Sequence, residues 1–198
     1  MFLSVEVRPA FRALSLALLL ATPVGSHATQ SREDIQVKVS RHGDIVTVHA
    51  QFSAPVSTQQ AYAVLTDYNH MTQFLTDLDE SRILARTEDS LLVRQAGKVR
   101  FGWFNIPFEY VRRVELYPGV RLVSHVVSGS VTKGDATTSL KELNGQTVVT
   151  YDSKATMGYW LPFGIGDTAI ASHIQENLES MRSEMLRRKL SAGAANAE

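Results

Sequence analysis

The sequence predicts an α+β domain: a curved antiparallel sheet around one long C-terminal helix, with two short helices after the first core strand. Three observations carry this expectation. Residues 48–75, VHAQFSAPVSTQQAYAVLTDYNHMTQFL, read as strand, proline break, capped helix, Asp-Tyr turn and second short helix. Residues 78–157 read as strand after strand joined by tight turns. From about Thr168 to Leu190 one apolar stripe recurs at helical spacing. Together they describe a sheet that wraps a helix around a cavity.

The chain begins with a segment to be set aside before the fold. Arg8 and Arg12 precede the apolar run 13–21, ALSLALLLA, which Thr22, Pro23 and Gly25 break before Ser26-His27-Ala28. That is the layout of a secretory signal peptide over residues 1–28. A membrane span needs about 20 apolar residues, which this run does not reach. The domain is expected over 29–190, with 191–198 as a disordered tail, and the protein is expected in the periplasm or secreted. Removing the leader takes Arg8, Arg12 and Glu6 and leaves 18 basic and 19 acidic residues. This balance lacks the basic excess that marks a nucleic-acid partner. The chain has no Cys, which excludes disulfides, a thiol nucleophile and a thiolate metal site, and fits a bacterial periplasm.

The elements follow in order. Ile35, Val37 and Val39 alternate with polar residues, Arg41-His42-Gly43-Asp44 turns the chain, and Ile45, Val46 and Val48 open a second strand ending near Phe52. Pro55 stops it. Ser57 and Gln60 have the spacing of a capping box, and Ala61, Val64, Leu65 and Tyr68 make one apolar helical face. Asn69 restarts a short helix to Leu75. Strands are expected at 79–86, 90–101, 106–117, 120–130, 135–143 and 146–157. Asn144-Gly145 between the last two is a strong hairpin signal. Such short connections imply antiparallel pairing. Asp167 caps the final helix, whose stripe is Ile170, Ile174, Leu178, Met181 and Met185.

Strand alternation assigns the faces. Phe108, Tyr110, Arg112, Val114 and Leu116 share an inner face. So do Leu91, Val93, Gln95, Val99 and Phe101, and also Val149, Tyr151, Ser153, Ala155 and Met157. Apolar side chains interrupted by a few polar ones describe a pocket that orients a ligand. Arg112 would meet a ligand carboxylate, carbonyl or phenolate, or pair with an internal acid. The loop 158–166, GYWLPFGIG, is too apolar for an ordinary surface loop and is expected as a lid, a membrane-touching tip, or part of the core. The expected ligand-binding set is Phe101, Tyr110, Arg112, Tyr151, Ser153, Trp160, Phe163, Ile170, Ile174 and Leu178.

Other chemistry finds little footing. Gly164, Gly166 and Ala169 give a weak GxGxxA pattern, but no strand follows the helix as a dinucleotide site requires. His42, His49, His70, His125 and His173 show no metal-binding spacing. No metal or cofactor is expected. Asp67, Asp77, Asp79 and Glu80 read as solvated charge. If the pocket holds acid–base groups, His125, Asp135 and Tyr151 are the candidates.

Phe52-Ser53-Ala54-Pro55-Val56, the helix ending Val64-Leu65-Thr66-Asp67-Tyr68, and the short helix 69–75 resemble the opening of START-like proteins of the SRPBCC superfamily. These include the polyketide cyclase/dehydrase family and its coenzyme-Q-binding branch. The resemblance covers about residues 45–190, and the leader and a strand at 34–41 are additions to the pattern. It implies a helix-grip fold with a hydrophobic tunnel, and roles from lipid or quinone carriage to aromatic-ring cyclisation. It carries over no catalytic residue. The expected function is an exported binding or carrier domain for a hydrophobic small molecule such as a lipid, quinone or aromatic polyketide. The alternative is a cyclase or dehydratase using Arg112, His125 or Tyr151. A third reading is transient membrane contact through residues 158–166.

Overall fold

A computed structural model describes residues 35–102, 104–157 and 166–195. Eight antiparallel strands form one sheet: β1 (Gln36–His42), β2 (Ile45–Ala54), β3 (Leu78–Arg86), β4 (Ser90–Phe101), β5 (Phe104–Tyr117), β6 (Arg121–Gly129), β7 (Val131–Leu143) and β8 (Gln146–Met157). Their spatial order is β1-β2-β8-β7-β6-β5-β4-β3. The chain leaves the sheet after β2 and re-enters at the far edge, and β8 closes against β2. The segment between makes helix α1 (Thr58–Leu65) and a 3-10 turn (Tyr68–Gln73). A 29-residue helix, α2 (Asp167–Ala195), ends the described chain. This is the α+β helix-grip architecture that the sequence predicts. The tail 191–198 was expected to be disordered, yet α2 continues through Ala195, because Ser191-Ala192-Gly193-Ala194-Ala195 is mostly small, helix-tolerant residues. The leader, residues 1–28, lies outside the described residues.

Curvature comes from bulges. Register slips between Leu78 and Glu80, between Ile83 and Ala85, between Val111 and Arg112, and between Val131 and Lys133. Each extra residue bends its strand and tightens the local twist. The bulges also account for stray apolar exposure. Leu84 and Val127, the extra residues of two slips, are both exposed. The bulge opposite Val111–Arg112 falls where Arg112 turns inward.

The strand-to-helix break is built as its sequence reads. Gln60 N–H donates to Ser57 Oγ at 3.2 Å, and Ser57 N–H donates to Gln60 Oε1 at 3.0 Å. Buried Thr147 Oγ1 donates to the Val56 carbonyl at 2.7 Å, tying β8 to this corner. The core joins Phe52, Leu91, Val93, Val114 and Val149 from the sheet to Val64, Met71, Leu178 and Met185 from the helical segments.

The C-terminal part of α2 is fastened to the α1 corner by charge. Arg188 Nη2 donates to Asp67 Oδ2 at 2.7 Å, and Lys189 Nζ donates to the Pro55 carbonyl. Glu184 accepts from both Arg187 and Arg188. The Arg187 guanidinium, with Arg188 against an opposing contribution from burial, holds the Glu184 carboxyl at about 2. Burial pushes the Asp67 carboxyl up, but His70 and Arg188 outweigh it and hold it low. Both carboxylates therefore stabilise the fold fully above their unfolded values, and that stability is lost as pH falls toward the folded values. Glu184 contributes on the order of 2–3 kcal/mol above about pH 5, vanishing toward pH 2. Glu184→Gln is expected to flatten this part of the acid-unfolding profile in urea titrations between pH 2 and 6. An unchanged pH slope would show that the Glu184 ion pairs do not set acid stability.

Candidate functional site

Between α2 and the sheet lies a cavity of about 350 Å³, within the range that holds small-molecule ligands. Its wall is largely apolar: Leu65, Leu75, Val114, Val149, Ile174 and Met181 are among the lining residues. Five elements position these polar groups. β4 and β5 supply Gln95, Tyr110 and Arg112, β8 supplies Tyr151, and the helical segments supply Tyr68 from one side and His173 and Asn177 from the other.

Gln95 is 2% exposed and organises one pole. Its amide nitrogen donates to Ser81 Oγ at 3.0 Å and to Met71 Sδ at 3.4 Å. Its oxygen accepts from Tyr110 Oη at 3.1 Å and from Arg112 Nη2. Arginine can only donate, so this network fixes which way the amide points. The Arg112 guanidinium also lies over the rings of Tyr110 and Tyr68, 5.2 and 5.5 Å from their centroids. Cation–π contact of this kind partly replaces lost hydration.

Among the described residues no carboxylate lies within ion-pair distance of Arg112, and its buried Nε has no hydrogen-bond partner. Burial works against the charged form, yet the phenols of Tyr110, Tyr68 and Tyr151 outweigh it and the guanidinium pKa is raised. Burial pushes the phenols of Tyr68 and Tyr151 up, so both stay neutral at ordinary pH. The pole is thus a permanent positive charge among neutral hydroxyls.

The second pole was not predicted. Asp77 and His173 both line the cavity, with Asp77 Oδ2 3.5 Å from His173 Nδ1 and side chains only 22% and 16% exposed. Asp77 is therefore not the solvated charge expected from sequence. Its carbonyl accepts from Lys98 N–H at 2.9 Å, and a Cβ on Gly97 would lie 1.9 Å from that oxygen. Glycine at 97 is what lets the chain entering β3 approach β4 so closely. The signal for His173 was present: His173 and Asn177 lie one helical row from Ile170, Ile174 and Leu178. Reading a single apolar stripe concealed that row.

Of the expected binding set, Tyr110, Arg112, Tyr151, Ile174 and Leu178 line the cavity. Ser153 does not; it hydrogen-bonds Tyr151 from the next position on the same face. Ile170 is half-buried on α2 but does not reach the cavity wall. Trp160 and Phe163, with the rest of 158–165, lie outside the described residues, as does the Phe101 side chain. The acid–base candidates separate. Tyr151 faces the cavity, whereas His125 and Asp135 pair at 2.7 Å with side chains 48% and 72% exposed. Leu122 and Ser124 line the cavity, so alternation along β6 turns His125 to the opposite face.

Residues 54–182 match the family model described as polyketide cyclase / dehydrase and lipid transport, which spans well over half of the chain. The chain belongs to this family. Within the polyketide cyclase/dehydrase and lipid-transport family, the match does not single out the coenzyme-Q-binding branch. No curated protein matches the chain. Solved structures share the fold at low identity. A STAR-related lipid transfer protein from Xanthomonas axonopodis is 17% identical, with a TM-score of 0.64 over 77% of this chain and 94% of that one. The Zhui aromatase/cyclase from Streptomyces sp. R1128 is 14% identical, with a TM-score of 0.61 over 75% and 98%. A START superfamily protein from Mycobacterium smegmatis is 13% identical, with a TM-score of 0.60 over 71% and 97%. Such likeness establishes the fold, and a fold of this kind hosts more than one function.

Proposed function

We propose that this protein is an exported carrier that holds a hydrophobic small molecule by an acidic or oxygen-bearing head. The observation that carries the reading is the charged Arg112, set in an apolar cavity with no carboxylate beside it among the described residues. A buried charge is costly unless something compensates it, and Gln95 and two aromatic faces compensate it only in part. A ligand carboxylate or enolate would complete the shell with short, charge-assisted hydrogen bonds, while the apolar wall takes its chain or rings. The neighbour named as a lipid transfer protein is consistent with such cargo. Export rests on the leader, where Arg8, Arg12 and the run 13–21 precede a cut after Ala28.

The test is direct. Protein purified from the periplasm of an expressing bacterium is extracted with organic solvent and analysed by mass spectrometry, and the emptied protein is titrated with decanoic acid and decanol. The expected results are an N-terminus at residue 29, a co-purifying amphiphile, and clear preference for the acid. A cytoplasmic protein with an intact leader would remove the export claim. A cavity that binds neither compound would remove the carrier claim.

A further inference from the structure

We propose that Asp77, His173 and Asn177 form a second polar subsite of the cavity, which takes a hydroxyl group at the far end of a ligand whose acidic head lies on Arg112. The proposal rests on the carrier reading above and narrows it to a class: apolar molecules carrying an acid at one end and a hydroxyl at the other.

The two poles are separated along the strands. Arg112 pairs with Val93 and its guanidinium reaches Gln95, whereas Asp77 enters at the level of Gly97 and Lys98. Two to four strand residues at about 3.3 Å each place the poles about 7–13 Å apart. The lining at and beyond the level of Asp77 includes Val99 and Phe108 from the sheet and Leu78 at the start of β3. An apolar linker suits that surface.

The chemistry of the second pole selects a hydroxyl. An ionised carboxylate offers about four acceptor sites, and the contact of Asp77 with His173 at 3.5 Å is longer than a hydrogen bond. Asn177 Nδ2 lies 3.3 Å from His173 Nε2. An imidazole that accepts from Asn177 at Nε2 carries its proton at Nδ1, facing Asp77. The carboxylate then retains acceptor capacity toward the cavity. A ligand that fills the cavity expels water from it. A methyl end would leave Asp77 desolvated and underbonded, and a second acid would meet its charge. A hydroxyl donates to the carboxylate and accepts from a neighbouring N–H, so it alone of the three satisfies both sides. Discrimination of this kind is strong because the loss falls on a group of the protein that remains buried.

The pole is also held in place. Asp77 is anchored by the Lys98 N–H and by contact with Gly97. His173 sits on α2, which is fastened at its start by Arg41 to Asp167 at 3.5 Å and near its end by Arg188 to Asp67. A rigid second pole sets a length requirement as well as a chemical one.

The experiment is isothermal titration calorimetry of the protein with decanoic acid and ω-hydroxydecanoic acid. Wild type is expected to bind the hydroxy acid at least tenfold more tightly. Asp77→Ala is expected to lose the preference, with decanoic acid binding more tightly than to wild type because no carboxylate is left underbonded. The comparison within wild type needs no variant, so a poorly folded Asp77→Ala leaves the proposal exposed, and His173→Leu serves as the second substitution. Equal affinities in wild type, or a hydroxyl preference that survives both substitutions, would overturn the subsite while leaving the carrier reading intact. Failure of either acid to bind would overturn the carrier reading and the subsite with it.

Discussion

Arg112→Met is expected to cost binding and not stability. The substitution removes a part-buried charge with no carboxylate beside it among the described residues, and replaces it with an apolar chain that suits the surrounding wall. Exchanging buried charge for well-packed apolar volume is often neutral or stabilising. Gln95 Oε1 keeps its bond from Tyr110, so no acceptor is stranded by the change. The melting temperature should therefore hold or rise. Binding of decanoic acid should behave in the opposite way. A hydrogen bond to a charged group is worth about 1.5–3 kcal/mol, which corresponds to roughly a 10- to 100-fold loss of affinity. Decanol, which brings no charge, should lose little. A variant that melts far below wild type would mean that Arg112 holds the core together and that its role is structural.

Gly97→Ala is expected to damage the fold at one seam. The added Cβ would lie 1.9 Å from the Asp77 carbonyl oxygen and 2.9 Å from its carbon. Those are backbone atoms, so no side-chain rotation relieves the clash. The start of β3 must move away from β4, which breaks the Lys98 to Asp77 hydrogen bond. Overpacking of this kind costs about 1–3 kcal/mol and more where backbone must shift. For a chain of this size that is several degrees of melting temperature, at about 2–4 °C per kcal/mol. Gly193→Ala is the matched control: nothing lies within 4 Å of the added Cβ, and alanine favours the helix. Thermal unfolding of the two variants should shift in opposite directions. Equal melting temperatures for Gly97→Ala and wild type would show that the seam is looser than its geometry.

The architecture was legible because local signals agreed with one another. Pro55 with the Ser57–Gln60 box marked the strand-to-helix break to the residue. Asn144-Gly145 marked a hairpin, and strand alternation put Tyr110, Arg112 and Tyr151 on the inner face. Those signals lie within a few residues in sequence. What escaped the reading depends on contacts far apart in the chain. Asp77 sits among acids at the exit of the 3-10 turn and looks solvated until α2 brings His173 against it, nearly a hundred positions later. Ser153 keeps the correct face but bonds Tyr151 and does not line the cavity, because alternation assigns a side and not a depth. His125 and Asp135 form the pair their chemistry allows, on the face that alternation along β6 gives them, opposite the cavity. Bulges are likewise silent in sequence: Leu84 and Val127 look like core residues and are exposed because the register slips past them.

The central claim is that a ligand acid lies on Arg112 inside the cavity. The most direct test is a crystal structure of the protein with decanoic acid bound. The carboxylate is expected at about 2.7–2.9 Å from the Arg112 guanidinium, near Tyr110 Oη, with the chain along the wall of β4, β5 and α2. A carboxylate turned toward solvent with the chain end against Arg112, or an empty cavity at saturating acid, would contradict it.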